Sequence, residues 1–116
     1  VLNSGICALV QQQQIAIFAV MQNDKLNVYG IGNYDPFGDA NVLYRGLLGS
    51  TGANIFVASP LYKQRFCLSS GACLDDDNYS VPAYPCKIQD GRVLLAFQST
   101  NVTENVDYAT STNSVA

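Results

Sequence analysis

Val57-Ala58-Ser59-Pro60-Leu61-Tyr62-Lys63-Gln64-Arg65-Phe66 contains a strand end, a loop and the start of a second strand. Residues 55–58 are apolar and rich in strand formers, and the run stops at Ser59-Pro60 because proline cannot donate to a ladder. Residues 64–68 form a second short strand, closed by Ser69-Ser70-Gly71. The other informative stretch is Asn33-Tyr34-Asp35-Pro36-Phe37, followed by Val42-Leu43-Tyr44-Arg45-Gly46-Leu47. It begins inside a loop spanning residues 30–41, rich in Gly, Asn, Asp and Pro.

The flanks read as more short strands. Residues 6–10 are apolar, residues 11–14 are polar and turn-like, and residues 15–20 form a second strand. Asn23-Asp24 marks a turn, and Leu26-Asn27-Val28-Tyr29 alternates as a half-buried strand does. The first 31 residues thus predict an antiparallel meander. Residues 42–48 predict a short helical turn or an irregular strand, and residues 50–54 a turn. Asp90-Gly91 between residues 84–89 and 92–97 predicts a tight hairpin, since a type I′ turn needs two residues with positive φ. Residues 98–116 are polar and are expected to be a poorly ordered tail, leaving residues 1–97 as the folded unit. The chain opens at Val1 without Met, which leaves room for a missing first strand. Many short strands without a long helical period indicate an all-β sandwich or partly open barrel.

Composition narrows the function. The chain has 116 residues, of which 48% are hydrophobic and 13% charged, with net charge −3. That suits one compact core. The six bases are scattered, apart from Lys63 and Arg65, so neither nucleic acid nor an anionic membrane surface is an expected partner. No apolar run reaches the ~20 residues of a membrane span. There is no His, which removes Ser–His–Asp and Cys–His catalysis and every His-containing zinc site.

Cys7, Cys67, Cys73 and Cys86 are expected to be reduced, packed thiols in a cytoplasmic protein. A Cys67–Cys73 bridge across the 69–71 turn is geometrically possible but disfavoured in a reducing compartment. Gly30-Ile31-Gly32 lacks the helix of a dinucleotide loop. Asp75-Asp76-Asp77 lacks the alternating ligands of a calcium loop and reads as a solvated turn. Tyr79 and Tyr84 read as packing residues.

Taken in order, these strings resemble the small subunit of the NAD(P)H-dependent nitrite reductase, a Rieske-like family. Gly5-Ile6-Cys7-Ala8-Leu9 and Gln14-Ile15-Ala16-Ile17-Phe18 fit its opening hairpin, and the likeness runs from about residue 5 to residue 97. It implies a Rieske-like (ISP) domain: small antiparallel sheets plus a two-loop subdomain that once held a cluster. A two-iron Rieske centre takes one Cys and one His from each loop. By the resemblance, Asp35 and Phe37 occupy the Cys and His places of the first loop, and Ser59 and Tyr62 those of the second. None of the four suits an iron–sulfur cluster.

The resemblance therefore implies a non-catalytic chain without bound cofactor. Its partner would be a large subunit carrying FAD, an iron–sulfur cluster and siroheme, which reduces nitrite to ammonium with NAD(P)H. The loops are either purely structural or a contact surface for that subunit. Contact candidates are Tyr34, Pro36, Phe37, Pro60, Leu61, Tyr62, Lys63 and Arg65, with Asp35 and Ser59 capping turn backbones. Two other functions stay open: an electron carrier with a Cys-ligated cluster, and a free-standing interaction module binding peptides at a sheet edge.

Overall fold

The computed structural model describes residues 4–52, 54–97 and 102–106. Strands β1 (Ser4–Val10), β2 (Gln13–Gln22) and β3 (Lys25–Gly32) form the expected meander. Its two turns are tight, with positive φ at Gln11, Gln12, Asn23 and Asp24. Asn and Asp tolerate that region, which is why the second turn is visible in the sequence. Gln11-Gln12 carries no such signal, and β2 starts at Gln13, earlier than the polar run suggests.

Beyond β3 come β4 (Tyr34–Asp35) and β5 (Ala40–Asn41), paired with each other, then a 3₁₀ turn at Leu43–Arg45. β6 (Leu47–Thr51), β7 (Asn54–Ala58) and β8 (Arg65–Cys67) make a three-stranded antiparallel sheet. β9 (Ala83–Tyr84) adds to β3 and completes the sheet order β1-β2-β3-β9. β10 (Cys86–Gln89) and β11 (Arg92–Phe97) flank Asp90-Gly91, both at positive φ as the hairpin requires. There is no α-helix among the described residues.

Two sequence expectations change. Residues 30–41 are not one open loop, because β3 runs on to Gly32 and β4 pairs with β5. Residues 102–106, placed in a structureless tail, form β12 (Val102–Val106) against β11. Their Val-Thr-Glu-Asn-Val sequence is rich in β-branched residues, and β11 offers a free edge to pair with. The remainder of that tail lies outside the described residues.

β2 is the spine. Every residue from Ile15 to Val20 is buried. Because side chains alternate, the strand feeds two cores. Ala16, Phe18 and Val20 join Ile31, Leu43, Val57, Phe66, Leu68, Cys73 and Val81 on one side. Ile15 and Ile17 join Ala8, Val10, Tyr84, Val93 and Leu95 on the other. Each large apolar side chain so buried contributes roughly 1.5–3 kcal/mol. The first core therefore fastens the loop-bearing sheet to the meander, and the second fastens the β10–β11 hairpin.

Gly30-Ile31-Gly32 serves this layering. A Cβ at Gly30 would sit 2.9 Å from the Cys86 sulfur, and one at Gly32 would sit 3.0 Å from Pro82 Cδ. The glycines let neighbouring layers close.

Asn33 ties the layers at the point where the chain leaves β3. It is fully buried. Its backbone N–H donates to Gln14 O (3.1 Å), and its carbonyl accepts from Leu43 N (3.1 Å). Its side-chain oxygen accepts from Tyr44 N (2.8 Å), while Nδ2 donates to Gln14 Oε1 (3.0 Å). Asn33→Ala strands the part-buried Tyr44 N–H and removes the amide donor of Gln14 Oε1, which keeps only the Cys7 thiol. We expect a loss of about 2–4 kcal/mol, read as a lowered urea midpoint at unchanged m-value.

Candidate functional site

The site is a pair of loops, residues 35–39 between β4 and β5 and residues 59–63 between β7 and β8. They share one construction. In the first, the Asp35 carbonyl accepts from Asp39 N (2.8 Å) and its Oδ1 from Phe37 N (2.9 Å). In the second, the Ser59 carbonyl accepts from Lys63 N (3.1 Å) and its Oγ from Leu61 N (3.2 Å). Each loop turns back through a residue in the left-handed region, Asp39 (φ 53°) and Lys63 (φ 68°). Asp35 and Ser59 are thus the Asx-type and Ser-type caps of two equivalent turns.

The two caps also meet. Ser59 Oγ–H donates to Asp35 Oδ2, and both residues are buried. A hydrogen bond to a carboxylate is among the strong ones, so this contact clasps the loops at their bases. The interior is filled by carbon. The Phe37 ring packs against Tyr79 (centroids 4.2 Å apart) and the buried Phe66 (6.3 Å). Leu61 lies against Gly38, where a Cβ would come within 2.3 Å of Leu61 Cδ1.

The remaining contact candidates surround the tips. Tyr62 is 63% exposed, and Tyr34, Leu61, Pro60 and Lys63 are also exposed, while Pro36 is half-buried. Tyr34 donates its hydroxyl to Asp39, which holds the phenol above its ordinary pKa. Phe37 differs from the others in packing its ring inward against the core. Arg65 grips Asp75 through Nη2 (2.8 Å) and Nε, with its backbone N–H also donating to Asp75 Oδ2 (2.8 Å). Its guanidinium lies over the Phe56 ring, 5.4 Å from the centroid. That pair and the Asn33 anchor had no signature in the sequence, and Tyr79, read there as a packing residue, finds its partner in Phe37, since each contact depends on residues far apart in the chain. The acidic turn that hid Asp75 is structural: Asp76 Oδ1 accepts from Asn78 N (3.0 Å).

The donor set does not fit a two-iron centre. The places inferred for its ligands hold a carboxylate and a hydroxyl already bonded to each other, a hydrocarbon ring, and a solvent-facing phenol. The thiols do not replace them. No group of three or more His, Cys, Asp or Glu converges among the described residues. Cys67 and Cys73 are free and point to opposite faces. Phe66 opposes Cys73 across a bridge, so the next residue, Cys67, faces the other way.

Burial pushes the Cys86 thiol up to about 12. Burial also acts upward on Cys67, but hydrogen bonds from the side chains and backbone of Ser69 and Ser70 outweigh it and bring that thiol down to about 7.

With the loops in view, the comparisons with known proteins are informative. The family described as "Rieske-like [2Fe-2S] domain" matches residues 1–96. The Escherichia coli (strain K12) nitrite reductase (NADH) small subunit is 45% identical over 92 residues, covering 79% of this chain and 83% of that protein. The chain belongs to the Rieske-like family of nitrite reductase small subunits. Within this family, the solution structure of the E. coli protein NirD superposes with a TM-score of 0.74 at 41% identity, covering 85% of this chain and 88% of that one. A Klebsiella oxytoca protein named as the nitrite reductase [NAD(P)H] large subunit is 41% identical over 95 residues, 82% of this chain but 10% of that protein. A small-subunit-like domain thus also occurs inside a much longer chain.

Two outcomes follow from the geometry. Ser59→Ala leaves the Asp35 carboxylate short of a donor, and Asp35→Ala leaves the Ser59 O–H and the Phe37 N–H without their acceptor. Each is expected to cost about 1–3 kcal/mol. A double-mutant cycle by urea unfolding should show coupling of about 1 kcal/mol or more, since the two side chains touch. For Cys67 the folded value lies below the unfolded one near 9. The unfolded chain then holds the extra proton between pH 7 and 9, so stability contributed by Cys67 grows as pH rises through that window. Above pH 9, Cys86 acts in the opposite sense. Denaturation midpoints at pH 7, 8 and 9 should rise in the parent relative to Cys67→Ser.

Proposed function

We propose that this chain is the non-catalytic small subunit of an assimilatory nitrite reductase [NAD(P)H], which reduces nitrite to ammonium. The observation that carries the reading is its 45% identity to a nitrite reductase (NADH) small subunit across 83% of that protein. The Klebsiella relative supports the large subunit as partner, because there a like domain is one tenth of the large-subunit chain.

The finer reading is that the chain holds no iron–sulfur cluster of its own. Its thiols do not converge, and its loop bases are occupied by the Asp35–Ser59 bond. Redox chemistry then belongs to the large subunit, with FAD, an iron–sulfur cluster, siroheme and NAD(P)H. The small subunit acts by docking in the cytoplasm. In this reading residues 1–97 form the docking domain. The clasp fixes loop shape, Phe37 fills the interior, and Tyr34, Pro36, Pro60, Leu61 and Tyr62 present an aromatic and apolar surface. Lys63 and Arg65 orient it from the rim.

Co-expression with the large subunit tests this. The two chains should copurify, and the isolated small chain should contain no stoichiometric iron or sulfide. Tyr62→Ala should weaken the complex by about tenfold or more, as loss of a central aromatic anchor does. Its melting temperature alone should stay within about 2 °C of the parent, because the ring is exposed. A coloured, iron-loaded small chain would refute the cluster-free reading. Absence of any complex, with equal large-subunit activity and stability, would refute the docking role.

A further inference from the structure

The two edges of the three-stranded sheet are treated differently. Beyond β8 the chain closes its own edge: Cys67 N donates to Ala72 O (2.9 Å), Leu74 N to Arg65 O (2.8 Å), and Phe66 bridges Cys73. Beyond β6, no strand pairs among the described residues. The β6 sequence, Leu-Leu-Gly-Ser-Thr, has no Pro, no charge and no positive-φ residue. These are the usual devices that keep an edge from pairing. Leu47, at the start of this edge, is 72% exposed, more than any other large hydrophobic among the described residues.

The outer face of the sheet continues the pattern. Leu47 stands opposite Ala58, and Gly49 opposite Phe56. Gly49 is the floor on which the Phe56 ring lies, since a Cβ there would meet the ring at 2.6 Å. The Arg65 guanidinium, held by Asp75, covers that ring from the β8 side of the same face. Ala58 leads directly into the second loop, so the edge and the loop tip are continuous. Arg45 lies two residues before β6, and Lys63 lies in the loop that follows Ala58.

We propose that the nitrite reductase large subunit covers this strip by laying an extended segment along the open edge of β6. The segment pairs main chain to main chain over residues 47–51, buries Leu47, and presents carboxylates to Arg45 and Lys63. This rests on the docking role argued above and names its surface. The occupant is the large subunit because a homologous domain is built into a large-subunit chain in the Klebsiella relative, so its surfaces face that protein. Edge pairing supplies affinity through backbone hydrogen bonds, and neighbouring side chains supply the choice of partner.

The test is amide hydrogen exchange of the small subunit, free and in the copurified complex, together with binding of two variants. Residues 47–51 should gain protection in the complex. Leu47→Asp should weaken association by about tenfold or more while leaving the melting temperature unchanged. Ile88→Asp, an equally drastic change at an exposed site on β10, should bind as the parent does. If the complex forms but residues 47–51 exchange as in the free chain and Leu47→Asp binds normally, the edge assignment is wrong while the docking role stands. If protection of residues 47–51 appears in the isolated chain at high concentration, alongside a dimer, a second copy covers the edge and the assignment to the large subunit is wrong. If no complex forms at all, the docking role itself falls.

Discussion

A serine hydroxyl donating to a buried carboxylate holds the two-loop end of this molecule together. Ser59 and Asp35 stand 24 residues apart in sequence, one at the base of each loop. A carboxylate out of water is costly unless its oxygens are satisfied. Here Oδ2 takes the Ser59 hydroxyl and Oδ1 takes the Phe37 N–H. The only ion pair among the described residues is Arg65 with Asp75, so dipoles rather than a cation satisfy Asp35. The same two side chains cap their own turns. Each loop's internal shape and the spacing between loops are thereby set by one small polar cluster.

Everything outside that cluster supports it from behind. β2 is buried on both faces, which lets one strand brace the loop sheet and the β10–β11 hairpin at once. Asn33 transmits that bracing to the first loop, because the same residue holds β2 through Gln14 and the 3₁₀ turn through Leu43 and Tyr44. Phe37, Tyr79 and Phe66 fill the loop interior with rings. An interior closed by carbon and one polar bond is a rigid platform. Exposed groups such as Tyr62 and Leu61 stand on that platform.

The family likeness and the donor chemistry of this chain point in different directions. The scaffold is that of an iron–sulfur domain, while the donors that such a centre requires are absent from the inferred positions. Fold alone does not carry function. The fold keeps the two loops side by side, and next to them β6 has no further strand partner among the described residues.

Much of this was visible in the sequence. Period-two alternation in Leu26-Asn27-Val28-Tyr29, the proline that ends the strand before Ser59, and Asp90-Gly91 each act within a few residues, so local chemistry settles them. The ordered strings around Asp35 and Ser59 placed the chain among Rieske-like domains, and the missing histidines bear on the cofactor without any coordinates. Only the tertiary structure decided what those residues do. That Asp35 and Ser59 bond to each other, that Asp75 belongs to Arg65, that Phe37 turns inward, and that residues 102–106 find a partner in β11 are all contacts between distant segments. Strand pairing and side-chain meetings of that kind depend on how layers stack, and stacking is a property of the whole core rather than of any window along the chain.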